Sequence, residues 1–108
     1  MSELKENKKK EILRELAADF FSRESNRTSL ITITDIDLNS RAKKATILIS
    51  VLPVDKEQNA VEFIHRRLGD FRQYVMDNSR IAFVPFFDVK IDIGEKNRQR
   101  IDEIAEKV

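Results

Sequence analysis

Two neighbouring segments in which apolar and polar residues alternate lie between segments patterned for helices. The first covers residues 30–38 and the second residues 44–52, and both are rich in β-branched side chains. Alternation with this composition is typical of strands that bury one face. Because only a short polar segment separates them, the two strands are predicted to pair as a hairpin. The pattern as a whole predicts an α+β fold.

The apolar alternation of the first strand changes phase between Ile33 and Ile36. A β-bulge lets a strand change the face that it buries, so we predict a bulge near Thr34 and Asp35. Polar residues 39 and 40 predict the turn of the hairpin. Pro53 lacks a backbone N–H and is predicted to end the second strand.

Apolar residues spaced three and four apart predict helices on both sides of the hairpin. The first helix is predicted over residues 2–25, with a stripe of Ile12, Leu13, Leu16, Ala17, Phe20 and Phe21. Asp55 is predicted to cap a later helix, whose stripe contains Val61, Ile64, Leu68, Phe71 and Val75. A glycine inside a helix costs about 1 kcal/mol relative to alanine. We therefore predict two helices that meet at Gly69, the second one capped by Asp70.

Pro85 precedes a third alternating segment, predicted as a strand over residues 86–92 with its odd-numbered apolar residues on the buried face. Gly94 is predicted to end this strand. A C-terminal helix is then predicted from Ile101, Ile104, Ala105 and Val108. The resulting order is α-β-β-α-α-β plus a last helix, with a three-stranded sheet packed against helices. Because 108 residues contain no internal repeat or linker, we predict one domain over residues 1–108.

The composition argues against an enzyme. The chain has no cysteine, one histidine and two glycines, so it lacks a thiolate nucleophile and a Gly-rich phosphate loop. His65 has no second histidine to act with and is predicted to be a helix-surface residue. The carboxylate pairs Asp35/Asp37 and Asp88/Asp92 fall at positions predicted to face solvent. We therefore predict no catalysis, no metal, no cofactor and no small-molecule substrate.

The apolar runs and the terminus do not indicate a membrane or secreted protein. No run approaches the roughly 20 apolar residues that cross a bilayer, and the N-terminus has no apolar signal-like segment. The absence of cysteine fits a reducing cytoplasm. Lys and Arg number 20 against 19 Asp and Glu, so the net charge of +1 does not by itself indicate nucleic-acid binding.

The element order resembles a type II KH domain, and several segments are similar to the ribosome-binding factor A family. Residues 33–39 and 43–52 resemble that family's first two strands, Gly69-Asp70-Phe71-Arg72 its interhelical turn, and Val84-Pro85 with Phe87 and Asp92 the entry to its last strand. The resemblance covers nearly the whole chain. Two positions depart from the family pattern, because Arg67 stands where an alanine is common and Arg41 where an aspartate is common. Both departures add positive charge.

The basic residues are clustered at residues 8–10, 41–44, 66–80 and 96–100. Cations contact RNA phosphates, and a glycine lets an RNA backbone approach main-chain N–H groups. Partly on the strength of the resemblance, the candidate RNA-binding residues are Arg41, Lys43, Lys44, Arg66, Arg67, Gly69, Arg72 and Arg80. For each cluster, the alternative is a solvated, ion-paired surface.

Two further features bear on binding. The predicted last helix carries Lys96, Arg98 and Arg100 before Asp102, Glu103 and Glu106, which is the reverse of what the helix dipole favours. A basic patch kept for an anionic partner would explain this order, and chance placement would too. Four phenylalanines, at positions 20, 21, 71 and 87, are predicted to be core. Phe63 and Phe86 lie off the apolar stripes and are available to stack on a base or to contact a protein.

The resemblance implies a bacterial cytoplasmic factor that binds the free small (30S) ribosomal subunit and its 16S rRNA. It implies a monomer that assists late rRNA maturation without catalysis, and that matters most in the cold. Two alternatives remain. A general KH-type module would bind short single strands on its own, whereas a protein–protein adaptor would have no role with RNA.

Overall fold

The structure is a computed structural model that describes residues 2–24, 29–39 and 43–94. Its elements are α1 (Ser2–Glu24), β1 (Leu30–Leu38), β2 (Lys44–Leu52), α2 (Glu57–Arg66), α3 (Leu68–Asn78) and β3 (Phe86–Ile91), with one 3₁₀ turn at Val54–Lys56. The predicted α-β-β-α-α-β order is confirmed. The predicted C-terminal helix lies outside the described residues. None of the helices described is both long and apolar enough to cross a membrane.

The sheet has three strands in the order β1-β2-β3. β1 and β2 form the predicted antiparallel hairpin, in which Leu30 lies opposite Leu52 and Leu38 opposite Ala45. β3 pairs with β2 in parallel. Two parallel neighbours need a crossover connection, and α2 and α3 supply it.

The predicted bulge in β1 is confirmed. The register of β1 against β2 shifts between Ile33 and Asp35, so Thr34 is the extra residue. The Thr34 hydroxyl lies 3.1 Å from the carbonyl oxygen of Leu48 and 2.6 Å from Oδ2 of Asp92. The extra residue therefore joins β1 both to the central strand and to the residue that follows β3.

The helices cover one face of the sheet. The core contains Leu13, Ala17 and Phe21 of α1, Ala60 and Ile64 of α2, Phe71 and Val75 of α3, and the inward-facing strand residues Ile36, Ala45, Ile47, Ile49, Val51 and Val89. The ring centroid of Phe71 lies 5.3 Å from that of Phe21 and 4.8 Å from that of Phe87. Of the four predicted core phenylalanines, Phe21 and Phe71 are confirmed as core, and Phe20 and Phe87 are partly buried against it. Ile12 is an exception within the predicted stripe of α1, because 40% of it is exposed.

Both caps predicted for the helices after Pro53 are wrong. Asp55 lies in the 3₁₀ turn, and α2 begins at Glu57 without a side-chain cap. The amide of Lys56 donates to the carbonyl of Pro53 at 3.0 Å and the amide of Glu57 to the carbonyl of Val54, so the 3₁₀ turn leads directly into α2. Asp70 does not cap α3 either, because it lies within the first turn of that helix.

Candidate nucleic-acid interface

The break between α2 and α3 falls at Arg67, two residues earlier than predicted. The Arg67 amide donates to the carbonyl of Ile64 at 2.9 Å, and the Arg67 carbonyl accepts from the amide of Phe71 at 2.9 Å. One residue therefore ends α2 and starts α3. We call residues 66–70 the interhelical turn.

Gly69 is exposed in the first turn of α3 and does not have a positive φ. A Cβ atom built at Gly69 would meet nothing within 4 Å beyond its immediate helical surroundings. Neither backbone conformation nor packing within the described chain therefore requires a glycine here. What the glycine does provide is room for the close approach of another backbone.

Two of the predicted arginines border this glycine. Arg66 is exposed at the end of α2. The guanidinium of Arg67 lies 6.0 Å from the ring centroid of Phe63 and 3.6 Å from Oδ2 of Asp70. The Arg67 side chain is 42% exposed, so its guanidinium lies over Phe63 and still remains at the surface. This placement accommodates an arginine, where the resemblance leads us to expect an alanine, without burying a charge.

Arg72 has a structural role that sequence analysis did not predict. Its Nε donates to the carbonyl of Pro85 at 3.3 Å and its Nη2 to the carbonyl of Val84 at 3.1 Å. The guanidinium carbon lies 4.4 Å from the ring centroid of Phe86. Arg72 therefore joins α3 to the segment that leads into β3, and contact with RNA stays a prediction for this residue.

Replacing Arg72 with alanine is expected to lower the free energy of unfolding by about 1.5–3 kcal/mol, because hydrogen bonds from a charged donor are worth about that much. Arg72→Lys should recover little, since an ammonium cannot reproduce the two-pronged geometry. Urea unfolding followed by circular dichroism measures both variants. Arg80→Ala is the matched control, because Arg80 is exposed and should change stability by less than about 0.5 kcal/mol. An unchanged midpoint for Arg72→Ala would contradict this role.

The remaining predicted residues do not gather at the interhelical turn. Arg80 lies beyond the far end of α3, a helix of 11 residues and therefore about 16 Å long. Lys44 forms an ion pair with Asp88, with 3.7 Å between Nζ and Oδ2. Lys43 is exposed immediately before β2, and together with Arg72 and residues 81–86 it lines a surface groove. Arg41 lies outside the described residues.

Two residues of that groove are not among the predicted site residues, although Lys9 belongs to the basic cluster at residues 8–10. Lys9 of α1 lines it, and its Nζ donates to the carbonyl of Phe83 at 3.0 Å. Phe83 is 85% exposed. The position of Phe83 outside every apolar stripe was an available signal. No signal in the sequence indicated its contact with Lys9, which lies 74 positions away.

The histidine and the paired carboxylates considered above lie at exposed or half-buried positions. His65 is exposed on α2, as predicted. Asp88 and Asp92 are half-buried rather than fully solvent-facing, Asp88 beside Lys44 and Asp92 beside Thr34. Across the ranges that the structure describes, no three His, Asp or Glu side chains are grouped so that they could hold a metal ion.

Comparison with known sequences decides the family. A sequence model of ribosome-binding factor A matches residues 5–105. The chain belongs to the ribosome-binding factor A family. A ribosome-binding factor A of Kosmotoga olearia is 31% identical over 104 residues, covering 95% of this chain and 83% of the relative. One of Thermodesulfovibrio yellowstonii is 27% identical over 82 residues, covering 76% of this chain and 70% of the relative.

Solved structures of this family agree with the fold. The crystal structure of ribosome-binding factor A from Thermus thermophilus matches with a TM-score of 0.68 at 12% identity, covering 76% of this chain and 90% of that one. A Thermotoga maritima protein matches with a TM-score of 0.65 at 18% identity, covering 75% of this chain and 80% of that protein. At these identities the likeness concerns the fold, and it is consistent with the predicted KH-like α+β arrangement.

Proposed function

We propose that this protein binds the free small ribosomal subunit through its 16S rRNA and assists late maturation of that RNA without catalysing a reaction. The observation that carries the proposal is the interhelical turn, where an exposed glycine with open space at its Cβ position lies beside Arg66 and Arg67. The name of the relatives, ribosome-binding factor A, supports a ribosomal partner. We further propose that residues 1–108 act as one domain, as a monomer, in the cytoplasm.

The start of α3 suits a phosphate in two ways. The first amides of a helix lack intrahelical acceptors and carry the positive end of the helix dipole, and no side chain caps α3. Gly69 adds open space among these amides. The carboxylate of Asp70 opposes an anion, but it lies 3.6 Å from the guanidinium of Arg67.

Binding of this kind acts on RNA by selection. A protein shifts an equilibrium between two RNA arrangements only by its difference in affinity for them. A small domain with a preformed turn therefore favours the arrangement whose backbone fits the turn. With a net charge of +1, the protein depends on shape and local contacts more than on overall attraction.

Gradient sedimentation of a cell lysate tests the proposal. We expect the protein to travel with free small subunits and not with whole ribosomes. Binding to purified small subunits should weaken as salt rises, with a log–log slope of several units, because each phosphate contact contributes about 0.9. Tight binding to short single strands alone would favour a general KH-type module. A flat salt response would favour the protein–protein adaptor.

Replacing Gly69 with alanine is expected to separate folding from binding. The fold should gain up to about 1 kcal/mol, because alanine is the better helix former and its Cβ meets no neighbour. Affinity for small subunits should fall, because the new methyl group occupies the space of the approaching backbone. Thermal unfolding and co-sedimentation measure the two effects. Gln73→Ala, at an exposed position of the same helix, should leave binding unchanged, and equal affinity of Gly69→Ala and wild type would contradict the proposed contact.

A further inference from the structure

A groove of about 830 Å³ lies between α1, α3 and the segment 81–86 that leads into β3. Its lining includes Lys9, Lys43, Arg72, Phe83 and Phe86. We propose that this groove binds an unpaired RNA nucleotide, whose base stacks on Phe83 and whose phosphate lies against Lys9 and Lys43. This is a contact additional to the interhelical turn, and it depends on the proposed function only for the premise that the partner is RNA.

Three of the eight exposed large hydrophobic residues in the described part of the chain line this groove. Phe83 is 85% exposed, Phe86 68% and Met76 41%, and all three line the groove. Large apolar side chains grouped on one surface and bordered by cations are a feature of sites that a partner covers. Aromatic rings in single-strand sites serve as stacking platforms for bases, and they do so for any base because every base has a π-face.

The aromatic side of the groove is held in place before any partner arrives. Arg72 bonds the carbonyls of Val84 and Pro85 and packs on the ring of Phe86. The ammonium of Lys9 bonds the carbonyl of Phe83. Because the carbonyls of residues 83–85 are bonded to side chains of α1 and α3, little ordering of this backbone is needed when a ligand binds.

The charge of the groove favours an anionic ligand, such as RNA, over a neutral apolar one. Three cations line it, and the lining residues that the structure describes include no carboxylate. An ammonium has three N–H donors, and the contact with Phe83 uses one of those of Lys9. A neutral apolar partner would desolvate these cations without compensation, whereas a phosphate would pair with them.

The base must be unpaired because a duplex hides base faces within its own stack. We therefore propose a direct test with two RNA hairpins of the same stem, one with a single-nucleotide bulge and one fully paired. Fluorescence anisotropy gives the affinities, and amide chemical shifts of residues 81–86 give the location. Wild type should prefer the bulged hairpin.

Two variants of Phe83 separate stacking from simple apolar contact. Phe83→Ala and Phe83→Leu should each weaken binding of the bulged hairpin by roughly 5- to 100-fold, since stacking is worth about 1–3 kcal/mol per base, and should not change binding of the paired hairpin.

Lys9→Gln should weaken binding of both hairpins and reduce the salt dependence of that binding. Lys90→Gln removes an exposed lysine of β3 outside the groove and should change neither affinity.

Four outcomes would overturn the inference. These are equal wild-type affinity for the two hairpins, full binding by Phe83→Leu, equal shifts of residues 81–86 with inorganic polyphosphate, and self-association that Phe83→Ala abolishes. If Phe83 variants no longer bind small subunits but keep their affinity for the RNA hairpins, the groove contacts a protein instead. If wild type binds the bulged hairpin in this way but does not sediment with small subunits, the groove site stands and the proposed function fails.

Discussion

Replacing Phe71 with alanine is expected to lower the free energy of unfolding by about 3–5 kcal/mol, the usual range for removing a buried aromatic ring. Phe71 is fully buried, and its ring lies within 5.5 Å of the rings of Phe20, Phe21 and Phe87. One cavity would therefore loosen contacts with α1 and β3 together. Domains of this size have about 5–15 kcal/mol of stability in total, so the variant should be close to its folding limit.

Thermal unfolding followed by circular dichroism measures the effect, and the melting temperature should fall by more than about 12 °C. Gln73→Ala is the matched control on the same helix. Its exposed amide bonds Asp77 at 3.1 Å, and an exposed pair of this kind is worth only about 0.2–0.5 kcal/mol. A loss below about 1 kcal/mol for Phe71→Ala would mean that the aromatic cluster does not support the core as described.

Replacing Arg66 and Arg67 together with glutamine is expected to weaken binding to free small subunits by about 100-fold or more. Each charge-assisted contact is worth about 1.5–3 kcal/mol net, and both arginines border Gly69 in the proposed interface. The log–log salt slope should fall by about one unit for each phosphate contact removed. The fold should remain, because Arg66 is exposed and the exposed pair of Arg67 with Asp70 contributes at most about 1 kcal/mol.

Co-sedimentation with purified small subunits over a salt series checks this prediction. The control variant replaces Arg14 and Lys90 with glutamine, since both are exposed and lie away from the interhelical turn. It removes the same charge, so a general electrostatic effect would weaken both variants equally. Unchanged binding by the Arg66 and Arg67 double variant would favour an adaptor that uses another surface.

The candidate site was predicted only in part from the sequence. Glycine inside an apolar stripe indicated a helix break, and the break lies two residues away at Arg67. Clustering along the chain suggested one basic patch from Arg66 to Arg80, but α3 separates its two ends. The basic residues of this cluster are close in the sequence, but residues at opposite ends of a helix lie as far apart as the helix is long.

The sequence by itself determined the strands, the bulge at Thr34 and the apolar faces of the helices, because period and side-chain type act over a few residues. Only the tertiary structure decided which residues far apart in the chain share a surface. Arg72 bonds the segment before β3 because the crossover connection places α3 beside that segment. The Lys9 ammonium bonds the carbonyl of Phe83 because α1 packs on the same face of the sheet as α3. Such contacts depend on how whole elements pack, and no local pattern in the sequence encodes them.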